Sequence, residues 1–205
     1  MNQFKIFAPI FPYLAVGVGL FFFNNAWAAL FGFHIAILLT VLVLRPSLSV
    51  RTLFKSRSPK WILASVLFCS TSGIGLYFLW PVFGVIGDLS AQLLAMGLTP
   101  VSWPWFLAYF SLVNPFVEEY FWRGVLGNDS LKPYFGDVVF AGYHAMILWG
   151  RVHLVFILFA VSVLVSAGWL WRQISREDGG LLSASLGHMA ADFTILVTIY
   201  WMAVP

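Results

Sequence analysis

The sequence predicts an all-α protein, a polytopic transmembrane helical bundle of about seven spans. Three observations carry this. Of 205 residues, 61% are hydrophobic and only 9% charged, with a mean hydropathy of +0.91, whereas soluble domains carry about 25% charged residues. The apolar residues fall in runs near the roughly 20 residues that a membrane-crossing helix needs. The aromatic content of 19% suits lipid-facing surfaces and interfacial belts. This leaves no room for a soluble domain, and the single cysteine, Cys69, excludes a disulfide framework and any cysteine-based metal site.

The spans read at 6–23, 26–44, 61–80, 105–124, 136–150, 152–171 and 181–204. Lys5, the apolar run after it and Ala26-Trp27-Ala28 resemble a signal peptide. The run is long for that, and a second follows at once, so the first span is read as a retained helix. It forms a tight hairpin with the second around Asn24-Asn25. The segment 45–60 holds Arg45, Arg51, Lys55, Arg57 and Lys60 and no acid, which reads as a solvated cytoplasmic loop rather than a nucleic-acid site. Segment 81–104, rich in Gly and Pro, reads as a loop with a short interfacial helix on the opposite face.

Lys and Arg stay on the cytoplasmic side. Threading seven spans with loop 45–60 inside also places Lys5, Arg123, Lys132, Arg172 and Arg176 inside. Only Arg151 of the 11 basic residues falls outside. The short fifth span is the weakest element, because a re-entrant pair over 138–171 would change the count. The first 104 residues read as N-terminal helices and loops, and 105–205 as the segment that carries the chemistry.

Ionisable groups inside spans cost about 2.5–3.5 kcal/mol each on insertion scales and are functional candidates. The fourth span offers Glu118, Glu119 and Arg123, the fifth His144, and the last His188 and Asp192. Glu119 and Arg123 are four apart and can pair, while Glu118 points about 100° away on an α-helix. One carboxylate is then neutralised structurally and the other left for chemistry. Asn114, one turn before Glu118, is placed to line the same pocket. Counting from the nearest turns at 1.5 Å per residue, Glu118, His144 and His188 sit roughly 8–12 Å below the cytoplasmic surface. The remaining histidines, His34 and His153, read as interhelical hydrogen-bonding residues, and Trp103, Trp105, Trp169 and Trp171 as interface anchors.

The order Glu118-Glu119…Arg123, Phe140…His144, His188…Asp192 on successive late spans resembles the CPBP family of type 2 CAAX prenyl proteases and bacteriocin-processing proteins. The resemblance covers about 105–204. It implies a glutamic-type intramembrane endopeptidase that needs no metal or other cofactor. By position, Glu118 would be the general base, His144 its partner, and His188 with Asp192 the oxyanion pocket, with Glu119, Arg123 and Asn114 in support. It implies a peptide or protein substrate with a hydrophobic or lipidated segment, a place in the lipid bilayer of the cell membrane (a bacterial inner membrane), and no nucleic-acid partner.

General physics is compatible with these roles. An apolar cavity favours the neutral carboxyl, which makes the carboxylate a better base near neutral pH, and fixed donors in a dry site stabilise an oxyanion. Hydrolysis needs water, so a cavity open to the cytoplasmic side is expected. Many relatives carry Asn where this chain has Asp192; an ionised aspartate would repel an oxyanion, so a neutral Asp192 acting as donor is expected. Two other readings remain open on the residues: a zinc site of Glu118, His144 and His188, and a non-enzymatic transport or immunity protein using buried ionisable groups.

Overall fold

A computed structural model describes residues 4–203. Val204, the end of the last expected span, lies outside the described residues. The chain is a helical bundle, and among the described residues β-pairing is limited to an isolated bridge between Val85 and Val152. Its helices are α1 (Ile10–Gly17, continued by a π-helical turn Val18–Phe22), α2 (Ala26–Leu44), α3 (Pro59–Leu79), the short α4 (Leu89–Ala95), α5 (Trp103–Glu118, continued by a π segment Glu119–Val125), α6 (Phe135–Leu148), α7 (Leu154–Asp178) and α8 (Leu182–Ala203). Five segments, Lys5–Phe22, Ala26–Leu44, Pro59–Val82, Leu154–Asp178 and Leu182–Ala203, are long and apolar enough to cross a membrane.

The helix limits follow from local chemistry. Asn25 caps α2 by accepting from Ala28 N–H at 2.9 Å, which makes the tight α1–α2 hairpin. Ser58 caps α3 with Pro59 at its first position. Asp88 caps α4 at Ala91 N–H, so the expected interfacial helix is present at Leu89–Ala95. Helix α7 runs seven residues beyond the expected span 152–171, because the charge that seemed to end it is satisfied. Arg172 is 3% exposed, donates to both Asp137 carboxylate oxygens at 3.1 and 2.8 Å, and also reaches the carbonyls of Ser130 and Lys132. A fully hydrogen-bonded guanidinium does not stop a helix.

The two ends of the bundle are distinct. At one end Lys5 reaches Val125 O, Tyr120 reaches Leu48 O, Arg57 N–H donates to Asp178, and Leu181 N–H to Thr52 O. At the other end Ala26 N–H donates to Met96 O, Ile86 N–H to Arg151 O, and His153 N–H to Gly84 O. Arg151 therefore stands apart from the basic loops, as the threading requires. The α6–α7 turn is tied to this far end, so α6 and α7 run between the two ends as a hairpin rather than re-entering. At 14 residues, α6 spans about 21 Å, short of a roughly 30 Å hydrocarbon core.

Helix α3, from the N-terminal part, lies along α8. Small residues permit this, as is usual where bilayer helices meet. A Cβ on Gly73 would lie 2.5 Å from Thr194 O, and one on Gly187 would lie 2.0 Å from Ser65 Oγ. Thr198 Oγ1 donates to Gly73 O at 3.2 Å, and Gly73 N–H to Thr194 Oγ1 at 3.2 Å. Replacing Gly73 by Val should separate α3 from α8 and cost about 1–3 kcal/mol, read as a lowered unfolding midpoint in detergent; an unchanged midpoint would show that the close approach does not matter.

Candidate active site

Helix α5 presents Asn114, Glu118 and Glu119. Pro115 lies inside it and has no N–H for the carbonyl one turn back. From Glu119 the hydrogen bonding widens to the π pattern, as in Leu126 N–H to Phe121 O at 2.9 Å. π-turns inside helices are frequent at functional sites. Glu118 and Glu119 themselves keep α-helical dihedral angles, so the two side chains still diverge as one helical step requires.

The glutamates are 1% and 0% exposed and are satisfied differently. Glu119 Oε1 faces Arg123 Nη1 at 3.2 Å and His188 Nδ1 at 2.9 Å. The Arg123 guanidinium lies 3.8 Å above the Phe140 ring and 5.3 Å from that of Trp171, a desolvated cation–π arrangement. Trp171 also stacks on His188 at 4.2 Å. Glu119, Arg123 and His188 thus form one packed cluster.

Glu118 Oε1 accepts from Asn114 Nδ2 at 2.8 Å and from Tyr143 Oη at 2.5 Å. Its Oε2 is buried and has no partner within the chain. In both glutamates Oε1 is held by two groups and Oε2 is buried without a hydrogen-bond partner; they differ in that Glu119 Oε1 faces Arg123 and His188, whereas Glu118 Oε1 is held by an amide and a phenol. His144 lies on α6 next to Tyr143, within electrostatic reach of Glu118 and His188. Its Nδ1 is buried without a well-formed hydrogen bond, near the backbone of Phe140 and Ala141. Asp192 completes the group, with Oδ1 3.5 Å from His188 Nε2 and Oδ2 3.5 Å from Asn114 Nδ2.

The expected residues are thus gathered from α5, α6 and α8, and two more join them. Tyr143 sits beside His144 in the second motif, where no spacing rule singled it out. His34, from α2, is the other: its Nε2 lies 3.0 Å from Asn114 Oδ1 and its Nδ1 3.1 Å from Tyr109 Oη. Asn114 gives its N–H to Glu118, so its carbonyl oxygen must face His34. His34 is then protonated on Nε2 and accepts from Tyr109 on Nδ1. The interhelical role expected of His34 is present, with the site's own asparagine as partner. His153 instead precedes α7 at the far end, with its backbone N–H on Gly84 O.

A cavity of about 250 Å³ touches Asn114, Glu118 and Tyr143. Its other walls include Met96, Leu98, Arg151 and Val152 of the end opposite the basic loops. This corrects the expectation of a cavity open on the basic side. A separate hollow there, lined by Arg123, Arg172 and Arg176, is not lined by Glu118, His144 or His188. The difference arises because Arg123, Phe140 and Trp171 fill the space between the glutamates and that end.

Fold and site together define a multi-pass helical membrane protein with a buried carboxylate–histidine centre. Residues 100–194, just under half of the chain, match the family model described as type II CAAX prenyl endopeptidase Rce1-like. The resemblance read from the three motifs is supported: the matched segment carries all three, and the family it resembles is one of endopeptidases. No curated protein and no solved structure matches the chain.

Removing Arg123 would leave Glu119 buried without its cation. Arg123→Leu is expected to cost about 3–5 kcal/mol, and Arg123→Leu with Glu119→Gln to recover much of it; unfolding of the single and double variants in detergent measures both.

Proposed function

We propose that this protein is a glutamic-type intramembrane endopeptidase in which Glu118 activates water. The observation that carries the reading is that Glu118, unlike Glu119, lines a cavity while its carboxylate is held by neutral donors. One oxygen is pinned by Asn114 and Tyr143, and the other is buried, unpartnered within the chain and beside a cavity. Glu118 Oε2 takes a proton from water as the water oxygen bonds to the substrate's carbonyl carbon. The tetrahedral oxyanion is met by His188 Nε2 and a neutral Asp192. The C–N bond then breaks, and the leaving nitrogen takes the proton from Glu118. His144, next to Tyr143 on α6 and within electrostatic reach of Glu118, orients the water. Fixed groups of this kind need no reorganisation as charge develops.

His34 acts as a positioning residue. Through Asn114 it fixes which way the amide points, and so which oxygen of Glu118 is left free. The substrate is a peptide or the C-terminal tail of a protein with a hydrophobic segment, of CAAX, leader-peptide or sorting-tag type, processed in the cell membrane.

A zinc centre is less favoured on geometry. Glu118 Oε1 is bonded to Asn114 and Tyr143, and His188 Nδ1 to Glu119, so two of the three supposed ligands are engaged elsewhere. Among the described residues no three His, Cys, Asp or Glu are grouped to hold a metal ion. Activity that survives exhaustive chelation would exclude zinc, and activity restored only by added zinc would overturn the metal-free reading.

Glu118→Gln should lower hydrolysis at least 100-fold, within the range of general base catalysis, in a protein that still inserts and folds; near-normal hydrolysis would sink the proposal. Asp192→Asn should keep activity, since the amide donates as a neutral acid does; a folded but inactive variant would show that Asp192 acts ionised. His34→Ala should lower kcat about 10–100-fold with KM unchanged and with partial rescue in His34→Gln; a change in KM or stability alone would reduce His34 to a structural role.

A further inference from the structure

Helix α1 reaches the site from outside the matched segment. The Tyr13 hydroxyl donates to Val139 O at 2.5 Å and also meets the backbone N–H of Tyr143. In an α-helix those two backbone groups belong to one i,i+4 hydrogen bond. A side chain of α1 therefore stands at the very turn of α6 that carries Tyr143. The approach depends on Gly142, where a Cβ would lie 2.4 Å from Tyr13 Oη. The two tyrosine rings pack edge to face at 6.2 Å. One turn on, a Cβ on Gly17 would lie 3.0 Å from Met146 Cε. Toward the basic end, Lys5 donates to Val125 O at 3.0 Å, the last residue of the π segment that begins at Glu119. The first span thus grips both the end of that segment and the middle of α6.

What this turn of α6 carries is the seating of Glu118. Tyr143 Oη donates to Glu118 Oε1 at 2.5 Å. The Tyr143 ring is buried and packed by Phe33, Trp122 and Phe140 as well as Tyr13. With the ring fixed, the place of its hydroxyl follows the backbone of α6, and a small rotation of that helix would swing the phenol off Oε1. His144, the next residue, turns with the same backbone. A displacement of about 1 Å in a group that sets reacting geometry can cost about 100-fold in rate.

We propose that Tyr13 is a positioning residue of the candidate active site: its hydroxyl fixes the Val139–Tyr143 turn of α6 and so holds the Tyr143 phenol on Glu118 and His144 beside it. The first span is then part of the working unit, although the family match begins at residue 100. The proposal rests on the protease reading above for what this geometry serves, but the placement of Tyr143 is separately measurable.

The experiment uses the full chain with 3-fluorotyrosine in place of Tyr143, whose fluorine resonance reads the phenol's hydrogen bond without any substrate. Glu118→Gln weakens the acceptor and calibrates how that signal moves. Tyr13→Phe keeps the ring and removes the hydroxyl; it should move the Tyr143 signal too, while 3-fluorotyrosine in place of Tyr77 on α3 stays where it is. On a fluorescence-quenched peptide ending in a CAAX-type tail, Tyr13→Phe should lower kcat about 10–100-fold with KM within about twofold. Gly142→Ala, an independent second variant, should do the same. Tyr13→Phe added to Gly142→Ala should lower kcat no further, because the methyl and the hydroxyl contend for one place. A Tyr143 signal unmoved in both single variants, an unchanged kcat, or a loss confined to the unfolding midpoint would overturn the proposal. If wild type and Glu118→Gln cleave the peptide alike, the protease reading fails, and the fluorine signal still decides whether Tyr13 places Tyr143.

Discussion

Two neighbouring carboxylates, Glu118 and Glu119, are buried side by side in a helix of a membrane bundle, and much of the surrounding structure answers that constraint. An isolated charge in such a place is costly, so each needs partners. Glu119 takes an arginine and a histidine, and the rings of Phe140 and Trp171 close over that cluster. Glu118 takes two neutral donors on one oxygen; in both glutamates the second oxygen is buried without a hydrogen-bond partner, and of the two only Glu118 lines the cavity. The same residue type thus serves once as a structural counter-ion and once as a candidate base, and the difference lies in its neighbours.

Those neighbours come from most of the chain. His34 on α2 sets the Asn114 amide, and Asn114 sets Glu118. Helix α3 supports α8 through Gly73 and Gly187, and α8 supplies His188 and Asp192. The family match begins at residue 100, yet the polar network of the site extends to residue 34. The N-terminal helices are therefore more than hydrophobic filling, since they hold the site's hydrogen bonds and wall its cavity.

The cluster around Arg123 has a second consequence. It fills the space between the glutamates and the basic end, and the open volume lies on the opposite side of Glu118. A neutralising device for one carboxylate thereby sets on which side of the other the cavity lies.

Much of this was legible in the residues themselves. Composition and run lengths determine a helical membrane bundle, because a bilayer admits few other ways to satisfy a backbone. The clustering of Lys and Arg determines the two ends. The four-residue spacings in the motifs determine which side chains of one helix share a face, as Glu119 with Arg123 and His188 with Asp192. Only the tertiary structure decided that His188 bonds Glu119 across helices, that Tyr143 and not His144 holds Glu118, that His34 joins from 80 residues away, and that the cavity beside Glu118 lies toward the end opposite the basic loops. The physical reason is the range of the information. Periodicity speaks of neighbours within a turn or two of one helix, whereas these choices depend on how separate helices rotate and close against one another. From Glu119 the hydrogen bonding widens to a π-turn, yet the pair with Arg123 four residues on still forms.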